Sequence, residues 1–529
     1  MFWGDEIVEK AKIRFAEKIA SGEEVIVRDE KTPSGRVHIG SMRGVVIHGV
    51  VTALLQRAGV KAKYLFEMND FDPMDGLPVY LDRETFLPHM GKPLCMVPSP
   101  DGKAGNYAEF FAEEFAQVIR EAGFEPEFYR SSELYKAGRY NESIRQALEH
   151  ADKIRMIYKR VSGAVKPDDW YPLQVVCEQC GKIGTTKVVA FDGEQVEYRC
   201  EPTMVEWAAG CGYAGKISPF DGRAKLPWKV EWAAKFKVIG VDIEGCGKDH
   251  STRGGSRQIA DTIAREVFEY EPPIDIPYEF FLVGGKKMSS SKGAGSSSRE
   301  VASLLPQQLF RFLMISKDPK RVIDFVPDGD TIPVLYDSYD SYAEKYFAGT
   351  RDDHGEIFEL AHSAETEALL QPRFLPRFSL VSFLVQMPHM DFLKEIAALK
   401  ESELTEADKR EALERADYAK RWLEKYAPEQ YRYVLQKGTV PEATKNFSET
   451  QKRALKILLE FIEGEKDLDG QKLHTELHEL KTKADIAPKE LFSALYLSFL
   501  GKESGPKAGW FLSVLPRELL IERLQAVTK

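Results

Sequence analysis

The sequence predicts an α/β fold, a doubly wound parallel sheet split by an insertion, followed by an α-helical C-terminal domain. Three observations predict it. Strand–helix–strand units occur twice, a long cysteine-bearing stretch separates them, and the pattern beyond residue 355 is nearly all helical. A chain of 529 residues is too long for one hydrophobic core. Its 43% hydrophobic and 29% charged residues are an ordinary globular balance.

An opening helix over Asp5–Ala20 leads to a strand, VIVR (Val25–Arg28). The polar turn DEKTPSG follows, then an apolar-periodic helix from Val37 to Ala58 and a second strand over Lys63–Asp70. The second unit comprises VIGVDIEG (Val238–Gly245) as a strand, GSRQIADTIAREVF as a helix and YEFFLV (Tyr278–Val283) as a strand. Helical stretches at Tyr107–Ala122 and Tyr140–Val161 lie between the two units. The expected division is 1–85 for the first half of the sheet domain, 86–215 for the insertion, 216–310 for the second half, 311–370 for a connector and 371–529 for the helical domain. No apolar run reaches the roughly 18 residues of a membrane span, and Gly44–Leu55 reads as a buried helix. The N-terminus has no basic–apolar–cleavage pattern, so a cytoplasmic protein is expected.

TPSGRVHIGS (Thr32–Ser41) falls where the first strand gives way to the first helix. Ligands of open α/β sheets bind at strand carboxyl ends, and helix N-termini present free N–H groups to phosphates. Gly35 and Gly40 allow close backbone approach to a nucleotide, and His38 can donate hydrogen bonds to phosphate oxygens as charge develops. The same segment also fits a plain strand–helix turn with a satisfied histidine. Downstream, GGKKMSSSKGAGSSS (Gly284–Ser298) follows the YEFFLV strand. Its glycines, serines and lysines suit a loop closing over a triphosphate, and they also fit a solvated linker. Both segments follow strands of one sheet, the arrangement a split nucleotide site requires.

Six cysteines in so long a chain do not suggest a disulfide scaffold. Cys177 and Cys180 form a CxxC knuckle, and Cys200 and Cys211 follow after gaps of 19 and 10 residues. Four thiolates suit a structural Zn2+, with four reduced buried thiols as the alternative. No histidine lies between His150 and His250, so a local site must be all-cysteine. The net charge of −10 argues against a nucleic-acid binder, but a whole-chain sum averages away local lysine and arginine placement.

With these motifs in place, a resemblance becomes specific. TPSGRVHIGS resembles the HIGH signature, and KMSSS the KMSKS signature, of class I aminoacyl-tRNA synthetases. SELYKAGRYNESIRQAL, KLPWKVEWAAKFKVIGVDIEGCGKDH, YEFFLVGGKKMSSSKG and LYLSFLGKESGPKAGWFLS resemble the class I lysyl-tRNA synthetases in particular. The resemblance implies a Rossmann-like catalytic domain, substrates ATP with Mg2+, L-lysine and tRNA(Lys), and a monomer. It implies catalytic roles for His38, Lys287 and Lys292. An ATP site would be built from Pro33, Ser34, Gly35, His38, Gly40, Ser41, Lys287, Met288, Ser289, Ser291 and Lys292. The lysine pocket it implies contains Thr32, Trp232, Asp249, His250 and Tyr278, each of which also fits simple core packing. Ser41 replaces the signature's second histidine, Ser290 its second lysine, and Glu30 stands where relatives often carry glycine. The helical end is implied to bind the anticodon, with basic and aromatic residues interleaved along Tyr418–Tyr433 and Lys452–Lys456. Rival readings are a glutamyl, glutaminyl or arginyl enzyme, a small-molecule nucleotidyltransferase, and a non-catalytic tRNA-binding protein.

Overall fold

The computed structural model describes residues 2–285, 297–387, 390–436, 438, 440–466 and 468–529. The chain forms two compact units, Met1–Phe325 with Tyr342–Leu370, and Val326–Ser341 with Gln371–Lys529.

The first unit is organised on a parallel sheet. Strand β1 (Val25–Lys31) pairs with β2 (Ala62–Met68), and β2 with β3 (Glu127–Arg130), all parallel. On the other side of β1, parallel bridges join Val27 to Ile243 and Ile243 to Ile274. The spatial order is therefore β3, β2, β1, the Ile243 segment and the Ile274 segment. Such an order reverses direction at β1, as in doubly wound sheets whose ligands sit at strand carboxyl ends. Strand β3 lies inside the stretch 86–215 yet joins this sheet.

Two short antiparallel elements mark the insertion. Strand β4 (Gln174–Val175) pairs with β8 (Ala224–Lys225), and β5 (Thr186–Phe191), β6 (Val196–Cys200) and β7 (Ala214–Ile217) form a three-stranded sheet. Returning to the main body, β9 (Cys246–Gly247) pairs parallel with β10 (Pro277–Tyr278), and β11 (Phe281–Val283) with β12 (Ile323–Phe325).

Helix Met42–Arg57 crosses from β1 to β2 and is apolar on nearly every side because it is covered on nearly every side. The stretch Ile39–Arg57 is long and apolar enough to pass as a membrane span by composition, but 78% of its window is buried inside the protein. The reading of Val238–Gly245 as a strand is corrected. Helix Trp228–Ile239 runs through Val238 and Ile239, ends at Gly240 in the left-handed region (φ 77°), and the extended segment starts only after it. A four-residue apolar run cannot distinguish a helix end from a strand. The opening helix breaks at Phe15 into Trp3–Arg14 and Ala16–Ala20, and Tyr140–Val161 resolves into Asn141–Glu149 and Ala151–Ser162.

The second unit is helical. Its core gathers Leu455, Leu458, Leu473, Leu477, Leu495, Phe499, Phe511 and Leu524. Helix Gly470–Lys483 buries only a thin stripe, Leu473, Glu476, Leu477 and Leu480, among polar residues.

Candidate active site

At the carboxyl ends of β1 and its neighbours lies a cleft of about 620 Å³. Thr32, Ser34, His38, Gly40, Ser41, Trp232, Asp249, His250 and Tyr278 all line it. Pro33 and Gly35 belong to the same turn without lining the cleft. The Tyr107 hydroxyl holds the turn by donating to the Ser34 carbonyl (3.0 Å). His38 precedes a single 3₁₀ turn, Ile39–Ser41, which feeds directly into helix Met42–Arg57. A Cβ at Gly40 would lie 2.9 Å from His38 Nδ1, so glycine is what lets the imidazole fold back over the turn.

Lys287, Met288, Ser289, Ser291 and Lys292 fall outside the described residues. The segments on either side of them are both anchored at the histidine turn. Phe281 of β11 lines the cleft, Ser297 makes an antiparallel bridge to His38, and Ser298 donates to the Val37 carbonyl from its N–H (2.8 Å) and its hydroxyl (3.0 Å). Sequence positions 38 and 297 thus meet at one site.

Beneath the cleft runs a network of buried charges. The Arg28 guanidinium, fully buried on β1, donates to Glu30 (2.5 Å), to Glu67 of β2 (2.7 Å), to Glu244 (2.5 Å) and to the Tyr129 hydroxyl (2.7 Å). Lys235, equally buried, lies 2.7 Å from Glu30, 2.7 Å from Glu67 and 3.3 Å from Glu231. Lys225 pairs with Glu231 (2.5 Å) and Asp72 (2.9 Å). The Trp232 indole N–H donates to Glu244 (2.5 Å), and the Thr32 hydroxyl donates to Asp72 (2.8 Å). Trp232 and Thr32 are thereby the two ends of one chain of alternating charges. Burial by itself would raise the Glu30 carboxyl, but the Lys235 ammonium and Arg28 guanidinium overcome it and hold Glu30 well below the usual carboxylate range. For Glu231 burial prevails over Lys225 and Lys235, and its carboxyl is pushed up.

An aromatic wall faces this floor. Trp228 and Trp232 stack at 5.9 Å, and His250 meets them edge-on at 5.2 and 6.1 Å. Opposite, the Asp29 carboxylate and Tyr278 hydroxyl converge on helix Met42–Arg57, where a Cβ at Gly44 would lie 2.7 Å from one and 2.8 Å from the other. Behind them, His48 Nε2 accepts the Gly245 N–H (2.7 Å), which leaves Nδ1 to donate to the Gly44 carbonyl (2.7 Å). Asp29, Glu67, Trp228, Glu231, Lys235 and Glu244 were not singled out from sequence. The available signal was a charge inside an apolar strand, as at Arg28 and Glu67, and the i,i+4 pair Glu231–Lys235.

Away from the cleft, Cys177, Cys180, Cys200 and Cys211 bring their Sγ atoms within 4.8 Å of one another. The Cys177–Cys211 and Cys180–Cys200 separations are both 3.7 Å. A tetrahedral zinc with Zn–S bonds of about 2.3 Å places its sulfurs about 3.8 Å apart, so the cluster is compatible with zinc. The knuckle precedes β5, Cys200 ends β6 and Cys211 lies just before β7, so three strands present the four thiols from distant sequence positions.

A doubly wound sheet with a glycine-bearing turn, a helix start and a charged cleft at its carboxyl edge is the arrangement in which open α/β proteins bind their ligands. Residues 1–365 match the family "tRNA synthetases class I (K)", and residues 423–528 match "Anticodon binding domain". A lysine–tRNA ligase of Methanosarcina barkeri is 34% identical over 511 residues, 93% of each chain. One from Archaeoglobus fulgidus is 32% identical over 531 residues, covering 99% of this chain and all of its own. Lysine–tRNA ligase 1 of Methanosarcina acetivorans is 34% identical across 99% of this chain and 98% of its own. The chain belongs to the class I tRNA synthetases of this (K) family.

The crowding at Gly44 yields a test of the cleft's shape. Gly44→Ala must displace the Asp29 carboxylate and the Tyr278 phenol, while alanine adds up to about 1 kcal/mol of helix propensity. ATP–pyrophosphate exchange is expected to fall about tenfold with the thermal midpoint little changed. Unaltered exchange kinetics would show that these two groups do not shape the site.

Proposed function

We propose that this enzyme is a lysine–tRNA ligase, activating L-lysine with Mg-ATP and transferring it to the 3′ end of tRNA(Lys) in the cytoplasm as a monomer. Similarity over the full chain to enzymes named for that activity carries the reading. The electrostatics of the cleft supports it: the floor holds five carboxylates (Glu30, Glu67, Asp72, Glu231, Glu244) against three cations (Arg28, Lys225, Lys235), which suits a cationic amino acid.

In the first step the lysine carboxylate attacks the α-phosphorus of ATP in line, forming lysyl-adenylate and releasing pyrophosphate. In the second, the 2′-hydroxyl of the terminal adenosine of tRNA attacks the acyl carbon and AMP leaves. Positioning and charge stabilisation dominate such chemistry. His38, at the start of the helix turn, donates to the phosphate as negative charge builds. Ser34, Gly40 and Ser41 carry ATP along the same turn, with Pro33 and Gly35 setting its course. Lys287 and Lys292, with Met288, Ser289 and Ser291, serve the leaving pyrophosphate. Thr32, Trp232, Asp249, His250 and Tyr278 surround the amino acid. The four cysteines hold a structural zinc that ties the small three-stranded sheet together. The helical unit binds the anticodon arm.

Exchange of pyrophosphate into ATP, run over a panel of amino acids with and without tRNA, is expected to require lysine. Exchange with glutamate, glutamine or arginine in place of lysine overturns the assignment. His38→Ala is expected to lower kcat by about 10²–10³ with an unchanged thermal midpoint, the loss typical of one donor to developing charge. Metal analysis is expected to find one zinc per chain and none in Cys180→Ser; a metal-free wild type of full activity contradicts the zinc site.

A further inference from the structure

The reading of a lysine-activating site leaves open which group receives the cationic end of the substrate. Seven carboxylates, from Asp29, Glu30, Asp72, Asp75, Glu244, Asp249 and Glu279, line the cleft. Most are already committed or too exposed to discriminate. Glu244 takes Trp232 on Oε1 and Arg28 on Oε2. Asp72 takes Lys225 on Oδ1 and both Thr32 and Asn69 on Oδ2. Asp29 accepts the Glu30 N–H on Oδ1 and lies 3.4 Å from His48 Nδ1 through Oδ2. Glu279 pairs with Lys248 at 2.6 Å. Asp75 and Asp249 are exposed at the rim, where solvent weakens any single ion pair.

Glu30 differs from all of these. Arg28 and Lys235 both bind its Oε2, and among the described residues no donor reaches Oε1. Its side chain is 21% exposed, while the cations that fix it, Arg28 and Lys235, are wholly buried. The carboxylate is therefore held rigidly from below with one oxygen presented upward. The floor as a whole carries five carboxylates against three cations. Lys31 also lines the cleft beside Asp29 and Glu30, and the seven lining carboxylates still outnumber the two lining cations, Lys31 and Lys225.

We infer that Glu30 is the specificity residue of the amino-acid pocket, its Oε1 accepting the side-chain ammonium of the substrate. Arg28 and Lys235 are positioning residues: they clamp Oε2 and set where Oε1 points. Their own charges are covered by Glu30, Glu67, Glu231 and Glu244. This inference rests on the lysine-activation reading, since it concerns the same site. A site built around a buried acceptor rejects an analogue lacking the donor far better than an apolar pocket does.

Exchange kinetics of the full-length enzyme with tRNA present test it, using L-lysine and L-norleucine, which has the same side chain without the amine. Glu30→Gln is expected to raise KM for lysine at least tenfold, to leave KM for ATP within twofold, and to reduce the preference for lysine over norleucine by a similar factor. Glu30→Asp retains the charge that neutralises Arg28 and Lys235 but withdraws the acceptor by one methylene. It is expected to keep the wild-type thermal midpoint and raise KM for lysine severalfold, so it serves if Glu30→Gln fails to fold. Wild-type KM for lysine in a folded Glu30→Gln, or in Glu30→Asp, overturns the assignment of Glu30 alone. A wild-type enzyme without lysine-dependent exchange overturns the lysine reading itself.

Discussion

Burial of Arg28 is the constraint around which the catalytic unit is arranged. A guanidinium with no solvent exposure is tolerated only when carboxylates surround it, and here they come from β1, β2 and the segment after Gly240. Removing one member of such a cluster leaves an uncompensated charge and costs roughly 3–5 kcal/mol. The two halves of the sheet, far apart in sequence, are thus locked by electrostatics as well as by the parallel bridge between Val27 and Ile243. Lys235 extends the lock to helix Trp228–Ile239, and Lys225 extends it to β8 and Asp72.

The same lock shapes the cleft. Trp232 is core, 4% exposed, and yet its indole N–H is tied to Glu244 at the cleft floor. Core packing and pocket lining are one role at this position. Trp228, 40% exposed, carries the aromatic surface outward to His250. The side of the cleft formed by helix Met42–Arg57 and the turn before it is governed by different means. There Gly40 and Gly44 let a histidine, a carboxylate and a phenol crowd against the start of one helix, and Ser297 and Ser298 bring the downstream strand's return beside them.

Much of this was legible in sequence. The strand–turn–helix around TPSGRVHIGS, the parallel pairing it implies and the helical tail all follow from periodicity and turn chemistry. Thr32, His38, Trp232, Asp249, His250 and Tyr278, picked out by motif and resemblance, share one cleft. The charge network was not legible. Arg28, Glu67, Lys225, Glu231, Lys235 and Glu244 lie in five separate segments, and a charged residue in a strand shows that a partner exists without naming it. Short apolar runs misled at Val238–Gly245, where only the left-handed Gly240 separates helix from extended chain.

A crystal structure of the enzyme with a non-hydrolysable lysyl-adenylate analogue tests the organisation of the cleft most directly. The expected complex has the side-chain ammonium within hydrogen-bond distance of Glu30 Oε1, the alkyl chain against Trp232 and the phosphate-mimicking group beside His38. An analogue bound with its ammonium turned to solvent, or with its adenosine away from the histidine turn, would contradict it.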